Sequence, residues 1–259
     1  MKKIFLLLCA CFWFSSSVMA KEWKEIRFSV EGAYPPFNWT TETGELTGFD
    51  VDLANAICDE LQVKCIIGKQ DWDGIIPALL ARKHDAIIAA MTITAAREKR
   101  VSFSRPYAFV PQRFIMAKER EIDLSEESMD GLVIGTQRAT IGDQYLTQAY
   151  PNIDLRRYNT FDEAFADLIN GRLDTVFGGA LGLKTGLLDT EEGKNFHFTG
   201  PSYTEEKWFG KGIGIAVRKE NKDLIKLLNK GLDALIANGK HEAIAKKYFS
   251  FDISGAELK

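Results

Sequence analysis

Three histidines in 259 residues leave little material for imidazole chemistry. They sit in Lys83-His84-Asp85, Phe196-His197-Phe198 and Lys240-His241-Glu242, which read as solvated ends or a strand position. There is no Ser-His-Asp order, no glycine-rich phosphate motif and no cysteine-histidine cluster at metal-ligand spacing. Acyl-transfer catalysis, a phosphate cradle and a metal are therefore not expected, and neither is a cofactor. Positive charge is also short. Residues 1–20 hold two of the 33 basic residues and none of the 36 acids, so a chain starting at residue 21 carries −5. That balance excludes a nucleic-acid partner, which needs a basic footprint. The apolar run at residues 4–14 is too short to span a bilayer, and no low-complexity segment or short repeat is present.

What the first residues do contain is Lys2 and Lys3, the apolar run, and Val18-Met19-Ala20, the three parts of a cleavable secretory signal over residues 1–20. Leu8-Cys9-Ala10-Cys11 is a poor lipoprotein box, so lipidation of Cys11 is not expected. Of four cysteines, Cys58 and Cys65 would remain after cleavage. In an exported chain they are expected to form a disulfide around a short loop, the alternative being two buried thiols.

The chain is organised around Asp85-Ala86-Ile87-Ile88-Ala89-Ala90-Met91-Thr92-Ile93-Thr94-Ala95-Ala96-Arg97. Its first half predicts a strand buried on both faces, ending in small residues at a sheet edge. Thr94 can cap a short helix that fixes Arg97 just beyond that edge, where open α/β sheets bind ligands. A guanidinium there, beside threonines, suits a carboxylate because its planar fork bonds both oxygens; a solvated surface arginine is the plain alternative.

Elsewhere the pattern alternates strands with helices. Residues 26–30 form a first strand, broken by Glu31-Gly32-Ala33-Tyr34-Pro35-Pro36, whose prolines present Glu31 and Tyr34 on a stiff loop. Asp50 is expected to cap a helix to Leu61. Trp72, flanked by Asp71 and Asp73 on the next loop, has the setting of an exposed ring rather than a core one. From Val110 a second set begins, with Thr140 capping a helix whose free amides make an anion site, and a strand opening into Gly178-Gly179. An amphipathic helix carrying Leu224, Leu228, Leu232 and Leu235 closes the chain. Two lobes follow from this, residues 21–109 with 201–259, and residues 110–200.

The motifs Gly48-Phe49-Asp50-Val51-Asp52-Leu53, Trp72-Asp73-Gly74-Ile75-Ile76-Pro77, Thr92-Ile93-Thr94, Phe103-Ser104-Arg105-Pro106-Tyr107 and Asn170-Gly171-Arg172-Leu173-Asp174 resemble, in order, those of periplasmic solute-binding proteins for polar amino acids. The likeness extends to the Cys-x6-Cys pair and is nearest to the lysine/arginine/ornithine, arginine and histidine receptors of ABC importers. It implies the two-lobed α/β periplasmic binding fold of type II, with two hinge strands and the ligand in the interlobe cleft. It also implies a monomer that binds a basic amino acid and delivers it to permease subunits in the inner membrane. By position, Arg97 would hold the ligand α-carboxylate with Thr92, Ala90 and the amides at Thr140. Tyr34 and Trp72 would sandwich a cationic side chain, and Glu31 would take its far end. Gly179 falls where the family keeps an acid for the α-ammonium, and Ala89-Ala90 where it keeps serines. That departure resembles receptors for opines, N-substituted arginine derivatives, for which glycine at 179 would leave space. Cyclohexadienyl dehydratases, enzymes on the same fold, are the alternative of another class, with Glu31 as the acid.

Overall fold

The computed structural model describes residues 22–120, 124, 128–251 and 253; the expected signal sequence and Cys11 lie outside them. Two five-stranded mixed sheets are each covered by helices on both faces. The first has the order Lys64–Lys69, Glu25–Val30, Ala86–Ile87, Ile213–Arg218, Val101–Ala108. Its first three strands are parallel, and Ile213–Arg218 runs antiparallel to both of its neighbours. The second has the order Asp154–Tyr158, Val133–Gln137, Thr175–Gly179, Gln112–Ala117, Phe196–Tyr203, again with three parallel strands followed by antiparallel ones.

Each helix forms where its apolar face meets a sheet. Ile57 and Leu53 of helix Phe49–Leu61 share one core with Leu224, Leu228, Leu232 and Leu235 of helix Lys222–Ala237. The tail of the chain thus packs on the first sheet. In the second unit Phe161, Phe165 and Leu168 cover one face, and Tyr145, Leu146 and Phe209 the other. The disulfide Cys58–Cys65 ties the end of helix Phe49–Leu61 to the strand after it.

The chain crosses between the sheets twice. Residues 109–111 lead out of Val101–Ala108, and residues 210–212 lead back into Ile213–Arg218. Tyr203 still pairs with Gln112 and Phe209 still packs in the second core, so the return lies beyond the boundary at 200 read from the sequence.

Three local expectations are corrected. The strand after Asp85 is only two residues long, because Ala90 adopts φ 47° and gives its N–H to Asp50, which turns the chain off the sheet. Asp50 is not the helix cap; Gly48 stands there, and the Asp50 carboxylate turns inward, fully buried. His84 and His241 are buried rather than solvated, the latter with its ring on the Tyr107 carbonyl at 2.9 Å.

Candidate functional site

Both sheets present the carboxyl ends of their parallel strands to the same interlobe space, the position where open α/β sheets bind ligands. A cavity with about 410 Å³ of empty space, its open mouth included, lies there. Glu31, Tyr34, Trp72, Ala90, Thr92, Arg97, Thr140 and Gly179 all line it, so the structure brings together every ligand-site residue singled out in the sequence. Gln112, Gln137, Ile141 and Phe161 line it too and were not anticipated.

Arg97 sits in the short helix Ala95–Glu98, whose cap is Thr94: its hydroxyl accepts the Arg97 N–H at 3.3 Å. The guanidinium donates to the Thr92 carbonyl at 2.9 Å and lies 5.2 Å from the centre of the Trp72 ring. It is 7% exposed, and no carboxylate pairs with it among the described residues. Burial alone lowers its pKa to about 10. A desolvated cation without a counter-charge attracts a carboxylate strongly. Thr92 thus meets Arg97 through its backbone oxygen, and one face of Trp72 is covered by Arg97.

Glu31, just past strand Glu25–Val30, is 4% exposed. Burial is the main cause raising its pKa to about 7; the Gln137 amide opposes the rise by donating to Oε1, and Asp162 adds to it. Gln137 ends strand Val133–Gln137 and is held by the Asn159 carbonyl at 2.9 Å. The Gln137–Glu31 bond joins the two lobes directly across the cavity. Thr140 uses its hydroxyl to cap helix Ile141–Ala149, accepting from Asp143 N at 3.1 Å and donating to the Gln137 carbonyl at 2.8 Å. The start of that helix faces the cavity through Thr140 and Ile141.

Tyr34 stacks on Phe37 with centroids 5.8 Å apart and tilts against Phe161 of the second lobe. Its ring seats on two glycines. A Cβ at Gly179 would stand 2.4 Å from the Tyr34 hydroxyl, and one at Gly182 would stand 2.2 Å from Tyr34 Cε2. The space expected beside Gly179 for a bulkier ligand is thus taken by Tyr34.

Behind the wall, Asp50 accepts from Asn38 Nδ2 at 2.8 Å, Ala90 N at 2.9 Å and the Tyr107 hydroxyl at 2.7 Å. Asn38 in turn accepts the Gly32 N–H at 2.8 Å. One buried carboxylate therefore fixes the Glu31–Tyr34 loop, the Ala90 turn and the strand leading to the first crossing. Burial raises the Asp50 pKa to about 7 against those three bonds.

Residues 26–251 match the model of the bacterial extracellular solute-binding proteins, family 3. The chain is 44% identical over 237 residues to the L-arginine-binding protein of Pseudomonas aeruginosa, covering 90% of this chain and 91% of that one. It is 35% identical to the histidine-binding periplasmic protein of Escherichia coli K12, over 98% of this chain and the whole of that one. Among solved structures, it superposes with TM-score 0.81 and 31% identity on a Salmonella typhimurium periplasmic binding protein of high arginine specificity, covering 88% of this chain and all of that one.

Proposed function

The chain belongs to the bacterial extracellular solute-binding proteins of family 3, and on that premise we propose that it is the periplasmic substrate-binding component of an ABC importer. Its ligands are basic amino acids of the arginine type, delivered as a monomer to permease subunits in the inner membrane. The observation that carries this reading is the pairing, in one interlobe cavity, of a buried uncompensated guanidinium with a buried carboxylate. A ligand with a carboxylate at one end and a cation at the other meets both.

Arg97 takes the carboxylate through its fork, with the start of helix Ile141–Ala149 approaching from the second lobe as the lobes close. Glu31 takes the cation at the far end, where a neutral side chain would leave it unpaired. Tyr34, Trp72 and Phe161 supply the apolar walls for the methylenes between. The wall holds a single carboxylate among the described residues, which suits binding better than proton shuttling through an acid–base pair. Gly179 offers no acid to an α-ammonium, and Tyr34 fills its open side, which weighs against added bulk on the ligand nitrogen there.

The test is a thermal-shift panel on refolded, ligand-stripped protein with arginine, ornithine, lysine, histidine and glutamine. A ligand at a hundredfold excess over its dissociation constant stabilises by about 2.7 kcal/mol, a shift of a few degrees. Arginine is expected to give the largest shift. No shift with any basic amino acid would overturn the reading.

A further inference from the structure

Glu31 is the acid assigned to the ligand's cation, yet its partner is a neutral amide. Gln137 donates to Glu31 Oε1 and to the Asn159 carbonyl through the same nitrogen and is 2% exposed, so its position is fixed. The charged and titratable groups acting on or facing Glu31 are Asp162 from the second lobe and Tyr34, Lys69 and Asp71 from the first. None forms an ion pair with it, and Arg97 is the other charged residue of the wall. A basic residue at 137 would hold Glu31 ionised; an amide does not. A carboxyl group keeps a carbonyl oxygen after protonation, so the Gln137 N–H can bond both forms, the carboxylate the more strongly, since its bond lowers the Glu31 pKa.

We propose that binding at this end is an exchange, in which the ligand's cation displaces a proton from Glu31 and Gln137 is the specificity-determining residue that holds the carboxyl group in register in both forms. The inference rests on the receptor reading above. The O–H bond of the Glu31 acid breaks, its proton passes to solvent, and the carboxylate pairs with the incoming ammonium or guanidinium. Burial supports this by placing the titration near neutrality, at about 7. Cationic ligands then lose affinity by about tenfold for each pH unit below that point, while a neutral isostere loses none.

Titration calorimetry of the full protein with arginine and with citrulline, at pH 6.5 and pH 8 in two buffers of different ionisation enthalpy, tests it. Release of about three-quarters of a proton is expected for arginine at pH 6.5, with almost none at pH 8, none for citrulline, and none for arginine in Glu31→Gln. In Gln137→Met the pH of half-release should rise, because the carboxylate loses its donor; Gln137→Asn, which keeps an amide, controls for folding. Arginine binding with a buffer-independent enthalpy at pH 6.5 overturns the exchange and leaves the receptor reading standing. An unmoved half-release pH in Gln137→Met overturns the role of Gln137, and failure of every basic amino acid to bind overturns both readings.

Discussion

The two ends of the cavity are equally dry and differently built. At one end Arg97 keeps its charge: even lowered by burial, its pKa of about 10 leaves it protonated near neutral pH. It is braced by a carbonyl and an indole face, neither of which can neutralise it. At the other end Glu31 lies where its charge is conditional, held by an amide that tolerates either form. The guanidinium end is a fixed demand for an anion, and the carboxyl end answers to pH and to what arrives. On the proposed function, recognition of a carboxylate and recognition of a cation are therefore separable properties of one site.

The sharpest way to break the comparison is Arg97→Ala. Loss of one partner of a desolvated charge pair costs on the order of 3 kcal/mol or more, so carboxylate ligands of every kind should bind at least about a hundredfold more weakly by calorimetry. The unliganded protein should melt no lower, since no acid loses its partner. Glu31→Gln should cost cationic ligands about 2 kcal/mol, roughly thirtyfold, and leave glutamine untouched. Equal losses for arginine and glutamine in that variant would show the two ends to be one coupled unit.

The space between the ends is probed by its glycines. Gly179→Ala forces the Tyr34 hydroxyl to move, and overpacking of that kind costs about 1–3 kcal/mol, seen as weaker binding. Tyr34→Phe should restore affinity to Gly179→Ala, because the hydroxyl is the clashing atom. It should not restore it to Gly182→Ala, where the clash begins at the ring carbon Cε2.

The last effect concerns stability rather than binding. Glu31 and Asp50 both have pKa values raised by burial to about 7, so between roughly pH 4 and 7 these two groups bind more protons in the folded protein than in the unfolded chain, while His84, lowered by burial to about 4, binds fewer. The stability the two acids contribute is full at the acid end and is lost as pH rises through 7. The melting midpoint of unliganded protein should therefore fall by about 10 °C from pH 5 to 7.5, and Asp50→Asn should remove most of that slope.

The strands, the helix faces and most of the wall residues were legible because their signals are local: apolar runs, Thr94 and Thr140 as caps, a tryptophan between aspartates, an arginine after small residues; Ala90 and Gly179 stood out only through the family resemblance. Gln137 was not, since a glutamine ending a strand reads as an ordinary edge residue until the facing lobe brings Glu31 to it. Its place at the carboxyl end of a parallel strand was the available clue. Asp50 misled for a similar reason. An aspartate at a helix start has the look of a cap, and only contacts 12, 40 and 57 residues away pull it inward. The short strand at Ala86–Ile87 follows from the same bond, because hydrophobicity marks burial but not where the ladder stops.

Strand Ile213–Arg218 lies between Ala86–Ile87 and Val101–Ala108, interior to the first sheet. During synthesis it emerges after every other strand among the described residues, so the first sheet lacks an interior member until most of the chain is made. The second sheet, contained within residues 112–203, has all its strands earlier. The order of assembly is thereby inverted with respect to the order of the sequence: the lobe that begins the chain is the one that finishes last.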